Sequence, residues 1–110
     1  MRHWLTFESQ VTELDSDGAQ DTYWADAFPH NPRMPCDVVD MSGRELIAAQ
    51  ASHSKVTTKL KTRFRPGFSA GMRARDGFTG QIFNIEAVIL DPNSRRRWVH
   101  LLCTSGVNAG

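Results

Sequence analysis

The chain predicts a mainly β fold, a small antiparallel β-barrel of five to six strands with one short inserted α-helix at about 42–52. Three observations carry that expectation. The stretch 55–65 alternates strictly between two faces. Turn chemistry at Asp15-Ser16-Asp17-Gly18, Pro66-Gly67, 76–80 and 91–94 cuts the chain into strand-length pieces. A single capped helical stretch opens at Ser42-Gly43-Arg44-Glu45.

Taken in order, His3 to Leu14 sets Trp4, Leu5, Phe7, Val11 and Leu14 among Thr, Ser and Glu, and reads as a first strand. Asp15 to Gly18 turns the chain, because short side chains bond local backbone and glycine tolerates positive φ. Tyr23 and Trp24 either begin a brief second strand or anchor a loop. Phe28 to Pro35 holds three prolines in eight residues, which argues against helix and against a central strand. The span 15–35 is therefore expected as a long exposed loop, or a hairpin that gains order against a partner, with a tolerated surface insertion as the plainer reading.

Cys36 to Met41 reads as a short strand around Val38 and Val39. Ser42 with Glu45 forms a capping box, and Leu46, Ile47, Ala48, Ala49, Gln50 and Ala51 continue the helix. About ten residues cannot hold a helix in isolation, so Leu46 or Ile47 is expected to pack on the rest of the fold. From 55 to 65, Val56, Thr58, Leu60, Thr62 and Phe64 share one face. Lys55, Thr57, Lys59, Lys61, Arg63 and Arg65 share the other. That pattern fits a sheet wet on one side. Met72–Arg75, Gln81–Leu90 and Arg97–Thr104 supply the remaining strands, and 105–110 reads as a frayed tail. Closing the sheet into a barrel removes the exposed edges that such short strands would otherwise leave.

At 110 residues the chain is read as one domain, 1–110, able to bury one modest core. A net charge of +1 gives no global pull toward nucleic acid or anionic membrane. No apolar run approaches the ~20 residues of a membrane span, and the start lacks a signal-peptide core, so a soluble cytoplasmic protein is expected. Cys36 and Cys103 are read as buried thiols, with a bridge left open should the fold bring them together.

No constellation points to catalysis. His3, His30, His53 and His100 lack metal-site spacing, no nucleophile elbow occurs, and Gly71, Gly77 and Gly80 form no phosphate cradle. No catalytic residue, metal or cofactor is assigned. The stripe Lys59, Lys61, Arg63, Arg65 is either the wet face of a strand or a surface for a charged partner, with Arg95, Arg96 and Arg97 near it or on an ordinary hairpin tip.

Nearly the whole chain resembles the phage head-tail joining family, also called head-closure, stopper or head-tail connector proteins. The resemblance rests on several pieces in order. They begin with Arg2-His3, then Asp17-Gly18 with Tyr23-Trp24, then Ser42-Gly43-Arg44-Glu45 followed by Ala48-Ala49-Gln50. Arg63-Phe64-Arg65-Pro66-Gly67, Met72-Arg73, Phe83-Asn84-Ile85 and Leu101-Leu102-Cys103 complete it. Phe28 to Pro35 departs from the family, which more often continues as a strand there.

The resemblance implies a barrel subunit that forms a ring of its own copies below the portal or adaptor of a filled capsid. That ring would retain packaged double-stranded DNA and offer a docking surface to a tail-completion or tail-terminator protein. The location implied is the virion head-tail interface, reached through the host cytoplasm during assembly. Ser42, Gly43, Arg44, Glu45, Gln50, Pro29 and Pro32 are the expected interface residues. Lys59, Lys61, Arg63, Arg65, Arg95, Arg96 and Arg97 are the expected charged-partner or DNA-channel face. A stand-alone oligonucleotide-binding β-barrel is the competing reading.

Overall fold

The computed structural model describes residues 3–39, 41–91 and 97–105. In chain order these form β1 (His3–Leu14), β2 (Gln20–Asp26), β3 (Arg33–Val39), α1 (Gly43–Ser52), β4 (Thr58–Arg63), β5 (Arg73–Asp76), β6 (Ile82–Leu90) and β7 (Trp98–Ser105). All strand pairings are antiparallel, in the order β2-β1-β3-β4-β7-β6-β5, and β5 returns to pair with β1. Six strands thus close a barrel and β2 lies outside it, so the expected class holds with one strand more than the expected upper number.

The closure works because β1 is two elements in one. Its first half pairs with β3 through His3 to Thr6 and with β5 through Leu5 to Glu8. Its second half, Ser9 to Leu14, pairs only with β2. That second half and β2 leave the barrel as a two-stranded arm, which fits overall dimensions of 50 × 30 × 27 Å. Asp15 shapes the arm's tip: its Oδ1 accepts from the backbone of Asp17 at 2.9 Å and Ala19 at 2.8 Å, and Gly18 takes φ of 82°.

Here the structure corrects the sequence reading. The expected loop over 15–35 is mostly paired strand, with only the turn near Gly18 and the Ala27–Pro32 connection unpaired. Pro35 also sits inside β3, which has neighbours on both sides. The exclusion of a central strand fails for a reason that lies across the sheet. In an antiparallel strand the N–H and C=O of one residue point the same way. The Pro35 carbonyl faces β4, where it accepts from the buried Thr62 hydroxyl at 2.9 Å. A side chain thus bonds where proline has no backbone donor to offer.

The barrel is filled by Leu5, Phe7, Phe28, Met34, Cys36, Leu60, Met72, Ala74, Phe83, Ile85, Val99, Leu101 and Cys103. Phe7, Phe28 and Phe68 meet edge to face at the end from which the arm leaves, with centroids 5.0–6.2 Å apart. The alternating faces expected for 55–65 are present: Val56, Leu60 and Thr62 are buried, while Lys59, Lys61 and Arg63 point outward. In β6 a register shift at Glu86 changes the phase, so Phe83 and Ile85 point inward before it and Ile89 faces out after it. That bulge accounts for an apolar run without alternation. Cys36 and Cys103 are both free thiols, lying on β3 and β7 with β4 between them.

Candidate functional site: an outward arm, a detached helix and a cationic wall

The helix begins as its sequence demands. Ser42 caps it, with Oγ accepting from Glu45 N at 3.2 Å, and Gly43 is its first residue. None of its residues is buried, however, and Ile47 is 73% exposed. The expectation that Leu46 or Ile47 packs into the fold is not met by Ile47, and Leu46 is only half-buried. Polar tethers hold α1 instead. Glu45 Oε2 accepts from Lys59 Nζ at 2.9 Å, and Gln50 Nε2 donates to Val56 O at 2.9 Å. The Lys59 bond, then its charge, lowers the Glu45 carboxyl below its ordinary range. Between α1 and the barrel wall lies an open crevice of about 670 Å³, lined in part by Ala48, Ala49, Ala87, Ile89 and Leu102.

The cationic residues of β4 are engaged one by one. Lys59 reaches the helix. Lys61 Nζ and the Arg63 guanidinium both lie over the Trp98 ring, at 4.9 and 5.0 Å. Just past the strand, the Arg65 guanidinium covers Phe28 at 4.2 Å and donates to Asn31 O at 3.2 Å. Arg65 is thereby brought against the Pro29–Pro32 segment, where Pro29 is exposed and the Pro32 carbonyl accepts from Phe7 N at 3.2 Å. Arg44 and Arg97 are exposed. Arg95 and Arg96 lie outside the described residues.

Sequence reasoning missed the fixture that orients the arm. Arg73 on β5 donates from Nε to Glu8 Oε1 at 2.8 Å, and its guanidinium covers Trp24 of β2 at 4.3 Å. Arg75 stands 3.6 Å from the same carboxylate. Glu8 is buried, so the pair is shielded from solvent screening. The three positions are distant in sequence, and no local pattern links them.

Also missed were two exposed aromatics, Trp4 (55%) and Phe78 (97%), which line an open cleft of about 720 Å³ with His3, Arg33 and Asp76. The signal for Phe78 was in the sequence, since an aromatic inside Asp76-Gly77-Phe78-Thr79-Gly80 is placed on a turn. Backbone donation from Phe78, partly offset by burial and helped by Thr79, holds the Asp76 carboxyl below its ordinary range. Among the described residues no group of three or more His, Cys, Asp and Glu side chains is arranged to hold a metal.

The geometry is a closed core with an arm, a loosely held helix and a charged wall outside it. Comparison with known proteins decides the family. The profile described as phage head completion protein matches residues 1–106. The chain belongs to that family. No curated protein matches its sequence. Among solved structures, this head completion protein is similar to protein SF1141 from Shigella flexneri 2a, with a TM-score of 0.78 and 21% identity over 98% of this chain and 95% of that one. It is also similar to a chain in the virion of a native gene transfer agent particle, with a TM-score of 0.59 and 17% identity over 97% and 96%. At these identities the two structures show a shared fold. The membership identifies a structural protein of the phage head-tail region.

Proposed function

We propose that this head completion protein is a head-tail connector subunit. Its copies form a ring below the portal or adaptor, close the DNA-filled head and present the surface on which a tail-completion or tail-terminator protein docks. The family membership supports the head-tail assignment, and one structural observation supports the ring. The arm and the helix leave the barrel at opposite ends. The arm continues β1 past Glu8, whereas α1 follows β3, whose end at Val39 lies beyond the His3 end of β1. Neither element contributes to the thirteen-residue core cluster. A domain that keeps two such elements outside its core has surfaces whose burial comes from neighbours.

The role is mechanical, as befits a structural family. The competing oligonucleotide-binding barrel draws less support, because the rings nearest the basic strand, Trp98 and Phe28, are already covered by its own Lys61, Arg63 and Arg65. The test is to remove the gene from the phage or prophage that carries it and examine the particles by electron microscopy. The proposal expects filled heads that lack tails and leak DNA, with tailed particles restored by the intact gene. Normal yields of tailed, infectious particles without the gene would refute it.

A further inference from the structure

The charges of this chain are segregated. The arm from Gln10 to Asp26 holds Glu13, Asp15, Asp17, Asp21 and Asp26, and contains no Lys, Arg or His. All 13 Lys and Arg lie elsewhere, against seven acids. A net charge of +1 conceals an acidic arm on a basic body. The concentrated cationic surface is the wall formed by β4 and the start of β7, where Lys61 and Arg63 lie on Trp98 and Arg65 lies on Phe28. Aromatic rings are neutral, so these contacts orient the cations without cancelling their charge. Asp37 faces Lys61 across the β3–β4 pairing, which leaves the Arg63 and Arg65 side of the wall the more positive.

We propose that the acidic arm of one copy docks on the cationic wall of the next, and that this head-to-tail contact is what builds the ring. The inference rests on the connector reading above. Opposite charge on two different surfaces of one molecule makes a heterologous contact, which propagates from copy to copy and closes when the rotation permits. Reach fits as well. Six paired positions beyond Glu8 at about 3.4 Å each give the arm roughly 20 Å of projection, against shorter dimensions of 30 and 27 Å for the whole molecule. The arm's apolar groups suit the same partner. Leu14 at the tip is 71% exposed, and Tyr23, opposite Val11 on the other face of the arm, is exposed too, its hydroxyl donating to Glu13 at 2.9 Å. Trp98 on the wall is partly buried and lies beneath the cations of Lys61 and Arg63. The Arg73 contact with Trp24 and Glu8 holds the arm's root, so docking need not first order it.

Packaged DNA is the other partner a cationic wall could meet, and the arm argues against it. Five carboxylates on a projecting element would repel a polyanion near the same channel, whereas on a neighbour's wall they are matched.

Two experiments in phage-producing cells test the contact. In the first, Asp17→Lys with Asp21→Lys reverses the arm, and Lys61→Glu with Arg63→Glu reverses the wall. Asp15 is left intact because it shapes the turn. Each reversal alone should lower tailed-particle yield at least about tenfold, and the two together in one chain should restore most of it. In the second, Asp17→Cys with Arg63→Cys should give a ladder of disulfide-linked multimers in purified particles, with neither single variant doing so. The native Cys36 and Cys103 are buried and do not compete. Particles that contain the chain but show no ladder and no rescue overturn the arm–wall contact and leave the connector reading standing. Arm reversal without effect, alongside wall reversal that releases DNA, overturns it in favour of DNA. Particles that lack the chain altogether overturn both readings.

Discussion

The Arg73 guanidinium lies 4.3 Å over the Trp24 ring while its Nε donates to Glu8 at 2.8 Å, so one side chain joins the barrel to the outer strand of the arm. Arg73→Ala removes one partner of a shielded ion pair and leaves the Glu8 carboxylate buried, with Arg75 3.6 Å away. The expected cost is about 3 kcal/mol, read from urea unfolding. Trp24 emission should shift to the red in the folded variant as its ring meets water. Arg73→Lys should recover only part of both effects, because an ammonium cannot bond Glu8 and cover the ring as a planar fork does.

Phe7 is fully buried and meets both Phe28 and Phe68 edge to face. Phe7→Ala should cost roughly 3–5 kcal/mol by cavity formation and lost ring contacts. Gly67→Ala tests the same corner from outside. Gly67 has φ of 113°, and an added Cβ would lie 2.9 Å from the Phe28 ring. About 1–3 kcal/mol of destabilisation is expected, measured by the same denaturation.

The outline of the barrel was legible because each strand carried its own local evidence. Thr58–Arg63 alternates, and His3–Leu14 is rich in β formers. Ser42 with Glu45 marked the helix start. What escaped depends on distant partners. The arm's pairing of Val11 with Tyr23 lacks a buried face that would set a two-residue period. The partner that meets the Pro35 carbonyl inside the sheet is Thr62, 27 positions away. The orienting contact among Glu8, Trp24 and Arg73 spans three strands. The helix's exposure was also hidden, since a run of alanines with one Leu and one Ile reads the same on or off a core.

Ser42→Ala removes the helix cap, a loss of about 1 kcal/mol for helix formation. Because α1 buries none of its residues, that loss should stay local. Hydrogen exchange at residues 46–50 should accelerate several-fold while the global unfolding midpoint barely moves. A large global shift would mean that the helix is coupled to the barrel core.

Burial pushes the Cys36 thiol up to about 11 and raises Cys103 as well. Both folded values exceed those of the unfolded chain, so the native state holds these protons more tightly. Their contribution is fully present below the ordinary thiol range and is lost as pH rises through it toward 11. Unfolding free energy should therefore fall above about pH 9, by up to ~1.4 kcal/mol per pH unit for each thiol. Cys36→Ala should flatten the slope while lowering the plateau. Thiol reagent at pH 8 should modify neither cysteine until denaturant is added.

The most direct measurement is a reconstruction of the neck of the mature particle at a resolution that traces the chain. The account predicts a ring of these barrels between head and tail, with the Gln10–Asp26 arm of each copy lying across Lys61, Arg63 and Trp98 of its neighbour. A neck without this barrel would contradict the connector role. A ring whose arms point away from every neighbour's wall would contradict the contact proposed to build it.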